Sequence, residues 1–308
     1  MSLKFSGIPI KVEMKAFLIS VFVMLMVFCL SFNVRNNKAY NNLYSTGIAA
    51  FRQQQEALQN TIAGADLSSE KNVQDIRKAI HTCRVKLKNI DFWLRYFEPV
   101  AYNKINGPLP VEWENEVFEK FEPPYKRTGA GLYLAETSLD QKPLIKDSLL
   151  SLIRQSREAI KTFEADSITS QLNTDHHFFL ANRLFLLNLA AIYTTGFECP
   201  DTSRIIPELK SMLAGAKDIY GSFNQTFPET PLTGAYMDLF EKAVAFADAQ
   251  PDRFSLFDQF DFIKDYINPL FAMNQHFVNN YQVRSINFND YTLNNNNFSI
   301  FDKSLYTS

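Results

Sequence analysis

The sequence predicts an all-α protein, a bundle of about seven helices beyond an apolar N-terminal segment. Three observations carry that expectation. The 308 residues hold only 10 Gly against 28 Phe and 13 Tyr, which suits helices packed on helices better than a turn-rich sheet protein. Apolar side chains recur at steps of three or four residues through most of the chain. No stretch keeps the period of two expected of a half-buried strand, and no repeat of fixed length occurs.

The first element is the uncharged run from Ala16 to Val34, AFLISVFVMLMVFCLSFNV, preceded by Lys4, Lys11 and Lys15. At a rise of about 1.5 Å per residue its length approaches the thickness of a bilayer core. Lysines on the N-terminal side hold that end in the cytoplasm, so the remainder is expected to be exported. Residues 1–35 are thus a signal or membrane anchor, 36–282 a helical bundle, and 283–308 an Asn-rich linker or tail. Cys29-Leu30-Ser31 is a poor cleavage site, which favours a retained anchor at the periplasmic face of an inner membrane over secretion after cleavage.

From Asn36 to about Ala65 the chain is polar and helix-forming. Ser68 or Ser69 is expected to cap the next helix, with Glu70 and Asp75 in its first turns. The clearest stripe follows: Val73, Ile76, Ile80, Cys83, Leu87, Ile90, Leu94 and Phe97. Asn106-Gly107-Pro108-Leu109-Pro110 ends it, the Asn-Gly pair reading as a turn with positive φ. An irregular region reaches to Asp147, with a Gly129-Ala130-Gly131 turn and a short helix around Leu132 to Glu136. Helical spacing returns at Leu149, Leu152, Ile153, Ile160 and Phe163, then from Phe178 through Asn182 and Phe185 to Gly196. Further helices are expected from Pro200–Ser203 to about Phe223, from Thr230-Pro231 toward Ala249, and from about Ser255 to Tyr281. The last places Phe257, Phe260, Ile263, Ile267, Leu270 and Phe271 on its apolar side.

A formal charge of −2 argues against a nucleic-acid partner. Cys29, Cys83 and Cys199 are too scattered for a disulfide framework, and Cys83 and Cys199 read as buried thiols unless an oxidising compartment joins them. The four histidines, His81, His176, His177 and His276, fall in no His-Glu-x-x-His or Glu-x-x-His pattern, and no Cys-x-x-Cys-His occurs. Nucleophile elbows, phosphate loops and dinucleotide fingerprints are absent as well. His176 and His177 are the best ligand candidates by type, but neighbours on a helix point about 100° apart. His81 and Cys83 diverge for a similar reason. Glu112, Glu114, Glu116 and Glu119 read as a solvated charge run. The expectation is therefore no catalytic residue, no metal site and no cofactor held by this chain.

Residues 83–136 resemble the helical region that precedes the haem domains of bacterial di-haem cytochrome c peroxidase-like proteins. The resemblance rests on Tyr96 and Pro99, Asn106 to Pro110, Glu122 and Pro123, and Gly131, Leu132 and Glu136. Thr195-Gly196-Phe197 and FIKDYINPL at 262–270 are similar as well. Such proteins continue into a domain with two Cys-x-x-Cys-His sites, which this chain lacks, so haem is implied only for a following domain or a partner. The helical region is also reminiscent of imelysin-like bundles, without their Gly-x-His-x-x-Glu motif. The expected function is a non-catalytic, membrane-tethered periplasmic module that docks or positions a peroxidase-like haem protein. A periplasmic small-ligand, metal or peptide binding protein of helical-bundle type is the alternative.

Overall fold

The computed structural model describes residues 39–109, 129–283 and 293–302. Those residues are almost entirely helical. The helices are α1 (Ala39–Gly64), α2 (Glu70–Lys88), α3 (Asp91–Phe97), α4 (Pro99–Asn106), α5 (Gly131–Ser138), α6 (Lys146–Ile160), α7 (Asp166–Thr169), α8 (His176–Asn188), α9 (Ile205–Thr226), α10 (Gly234–Ala249), α11 (Gln259–Asp261) and α12 (Asn268–Asn280). Two isolated bridges join described residues, Asn106 with Gly131 and Gly107 with Ala130. No described helix is long and apolar enough to cross a membrane. The run at 16–34 and the glutamates at 112, 114, 116 and 119 lie outside the described residues.

Helix α1 packs along α2, α6 and α9, while α5 bridges α2, α4 and α6 and α8 lies against α3 and α12. The polar look of α1 conceals a full stripe, with Tyr40, Tyr44, Ile48, Phe51, Gln55, Leu58 and Ile62 all buried. The single helix expected from Val73 to Phe97 is instead two. Its ladder stops at Lys88, and a turn at Asn89-Ile90 starts α3 with Asp91 in its first position. The stripe survives the break because the turn continues the same sense: Ile76, Ile80, Cys83, Leu87, Ile90, Leu94 and Phe97 are all buried. Helix α9 crosses this turn at Gly215, where an added Cβ would lie 2.7 Å from the Asn89 carbonyl oxygen. Ser69 does occupy the cap position of α2, yet its side chain makes no capping bond, and Ser68 turns to Asp66 instead.

Two π-helical turns reset the phase of the later helices. One at Leu189–Tyr193 closes α8 before Gly196, whose φ is +75°. The other, Phe262–Ile267, divides the long helix expected from Ser255 to Tyr281. An extra residue per turn rotates everything before it relative to everything after. Phe260, expected on the apolar side, is consequently 67 % exposed, with the Lys264 ammonium 5.0 Å from its ring centre.

Aromatic rings fill the middle of the bundle. Phe178 of α8 stacks on Phe223 of α9 with centroids 3.6 Å apart. Trp93 donates its indole N–H to Tyr40 Oη at 2.7 Å and meets Tyr40 and Tyr44 edge-on. Asn182, which falls within the apolar spacing of α8, is satisfied inside the core. Its amide donates to Tyr236 Oη and Asn274 Oδ1, both at 2.8 Å, and accepts from Tyr220 Oη. The Asn-rich stretch at 293–302 lies against α12, where Gln275 Nε2 donates to the carbonyls of Asn294 and Asn297.

Candidate functional site

Along α2 and α3 the residues one position after the apolar stripe are Arg84, Lys88, Asp91 and Arg95. They share its spacing of three or four residues and would ordinarily form a solvated face. Here all four are buried, because α9 and the segment after α8 close over them with Glu208 and Glu198.

Arg84 is fully buried and its guanidinium is engaged on every side. Nε and Nη2 grip the Glu208 carboxylate as a fork at 2.7 and 2.8 Å. Nη1 donates to Asn106 Oδ1 at 2.7 Å, and Nη2 also donates to the Glu198 carbonyl at 2.7 Å. Lys88 Nζ donates to Asp91 Oδ2 at 2.7 Å, to Glu198 Oε2 at 3.1 Å and to Tyr102 Oη at 3.3 Å. Tyr193 Oη donates to the other Asp91 oxygen, and Arg95 pairs with Glu198 over the face of Tyr102. Three cations therefore face three anions with almost every donor assigned. The adjoining void, between Lys88, Tyr193, Glu198, Cys199 and Met212, measures about 10 Å³, the size of one water at most.

Electrostatics fix the charge states. Burial opposes ionisation of Asp91, but Lys88 and Arg95 outweigh it and hold the carboxyl below its ordinary range. Burial likewise opposes a charged Glu208, and Arg84 reverses the balance. Lys88 is held above the usual lysine value, the desolvation cost being exceeded by Asp91 and the neighbouring phenols. Folded carboxyl values below the unfolded ones add stability that is complete above about pH 4 and is lost as pH falls through the folded values. The raised Lys88 contributes below about pH 10 and loses its share as pH rises through its folded value. The thermal midpoint should consequently fall as pH is lowered below about 4, and fall less in an Arg84→Met/Glu208→Met double variant. Parallel curves in differential scanning calorimetry would exclude the network as the cause.

The histidines disperse. His177 is buried in the aromatic core, its Nε2 3.1 Å from Tyr40 Oη and its ring stacked on Phe97, whereas His176 is exposed. The divergence expected of helical neighbours holds. His276 is exposed with its ring against Phe298. Cys83 and Cys199 are separate buried thiols. Burial raises both, Cys199 being pushed up to about 12, so neither is a ready nucleophile.

His81 and Cys83 do not converge, but His81 meets other partners. On the rim of the network His81 Nε2 lies 2.7 Å from Glu136 Oε1 of α5 and 3.7 Å from Asp201 Oδ2 in the loop before α9. The Asn-Gly turn expected at 106–107 is built differently too. Gly107 has φ −85°, and its lack of a side chain is needed for space, since a Cβ would sit 2.4 Å from the Asn103 carbonyl oxygen. The positive φ belongs to Gly131, at +56°, where the chain returns to pair with Asn106. The motif residues Asn106, Gly131 and Glu136 thereby become neighbours of Arg84 and His81. No sequence signal short of this pairing joins His81, Glu136 and Asp201. No protein family, curated protein or solved structure matches the chain.

Proposed function

We propose that the protein is a non-catalytic helical module, tethered at the periplasmic face of a membrane through residues 16–34, that positions a peroxidase-like haem domain or haem-bearing partner. The observation that carries this reading is the closure of the buried ionic network. Charged groups in catalytic clefts need room for a reacting molecule and a donor or acceptor left for it. Here Arg84, Lys88, Asp91 and Glu208 spend their hydrogen bonds on one another and on Asn106, Glu198, Tyr102 and Tyr193, beside a void of about 10 Å³. The motif residues behind the resemblance fit the same role, since Asn106 and Gly131 pair with each other and join the end of α4 to the start of α5.

Residues 1–308, purified in detergent, are expected to show no Soret absorption and no peroxide turnover. Reading the gene beyond codon 308 and its neighbouring frames is expected to reveal two Cys-x-x-Cys-His motifs. A Soret band with turnover, or the absence of any such haem gene, overturns the proposal.

A further inference from the structure

We propose that His81, Glu136 and Asp201 form a binding site for a borderline first-row divalent cation, with zinc the best fit. The site is independent of the haem-module reading.

The three residues come from three separate elements, and one ligand atom of each lies within 4.8 Å of the other two. Zinc bonds of about 2.0–2.1 Å in tetrahedral geometry put ligand atoms about 3.3 Å apart. The separations of 2.7 and 3.7 Å from His81 Nε2 straddle that value, and the two carboxylates lie within 4.8 Å of each other.

A second observation concerns Glu136 itself. Its side chain is 2 % exposed, and its Oε2 accepts no hydrogen bond. Arg84 Nε is 3.8 Å from that oxygen but gives its proton to Glu208 at 2.7 Å. A buried carboxylate with a single donor is under-compensated, and such groups pair with a cation or a metal. Charge points the same way. The closed network is neutral, and Glu136 and Asp201 bring two further carboxylates together at its rim, with Arg204 beside Asp201.

The outer contacts suit ligand duty. Ser203 N–H donates to Asp201 Oδ1 at 2.9 Å, which orients the carboxylate and leaves Oδ2 toward His81. His81 and Asp201 are 16 % and 30 % exposed at the side chain, giving a cation and a water ligand access from solvent. On binding, the Nε2 proton moves to Nδ1 and the freed lone pair takes the cation. One imidazole with two carboxylates favours zinc or its neighbours over calcium and magnesium, which prefer all-oxygen shells.

The test is titration calorimetry of the chelator-stripped full chain in detergent with zinc chloride and, separately, magnesium chloride, with X-ray absorption on the zinc-loaded protein. One zinc per chain, a nitrogen and oxygen shell with one imidazole, and no magnesium heat are expected. His81→Ala and Asp201→Asn should each weaken zinc by more than about 100-fold, beyond what outer-shell changes cost, while His276→Ala leaves it unchanged. Asp201→Asn, on a partly exposed loop, decides the matter if His81→Ala does not fold. No saturable zinc heat, an unaltered affinity in Asp201→Asn, or sulfur in the shell overturns the proposal.

Discussion

Arg84→Met is expected to lower the unfolding free energy by about 3–5 kcal/mol, measured by urea denaturation followed by far-UV circular dichroism. Methionine preserves much of the volume, so the loss is not a cavity effect. It comes from Glu208, left ionised at 3 % exposure without its fork, and from Asn106 Oδ1 and the Glu198 carbonyl, each left short of a donor. Glu208→Met should cost a similar amount by stranding the guanidinium. The double variant Arg84→Met/Glu208→Met should recover most of the loss, because a buried ion pair and an apolar pair of like volume are often nearly equal in stability. That non-additivity separates a closed network from a hydrated one. If each single change cost under about 1 kcal/mol, the pair would be behaving as a surface salt bridge, and the closure on which the proposed function rests would fail.

The same residues show where sequence reading reaches and where it stops. The stripe Ile76, Ile80, Cys83, Leu87, Ile90, Leu94, Phe97 was legible because burial of apolar groups at helical spacing needs no knowledge of the partner. The adjacent stripe Arg84, Lys88, Asp91, Arg95 has the same spacing but carries charges, which stay solvated unless an opposite charge meets them. Glu198 and Glu208, which meet them, lie more than a hundred residues away and follow no local rule. The single acid, Asp91, among three cations at core spacing is the one signal in the sequence that sets that stripe apart from a plain solvated face. Polar residues misled at α1 as well, where Gln55 is buried and donates to Ser156 Oγ at 2.8 Å. Phe260 failed for a different reason, since a single π turn changes the phase and leaves no mark in composition. His81, Glu136 and Asp201 are brought together only once α5 is docked by the pairing of residues 106–107 with 130–131, a tertiary event.

Gly131→Ala tests that docking, and a loss of about 3 kcal/mol or more is expected. Gly131 sits at φ +56°, where an L side chain alone costs about 1–2 kcal/mol. The added Cβ would also fall 1.9 Å from the Ile105 carbonyl oxygen and 2.4 Å from its carbon, both backbone atoms that cannot swing aside. Relief requires α5 to withdraw from the end of α4, and that movement breaks the pairing with Asn106 and carries Glu136, five residues on, away from His81. Gly221→Ala in α9 is the matched comparison. Beyond its own helix turn no atom lies within 4 Å of its added Cβ, so the helix interior should gain about 0.5–1 kcal/mol. Opposite signs for the same chemical change would tie the fold to the close approach of two backbones rather than to glycine content. A Gly131→Ala protein as stable as the parent would mean that residues 105 and 131 do not touch, and with them would go the geometry that joins α5 to the buried charges.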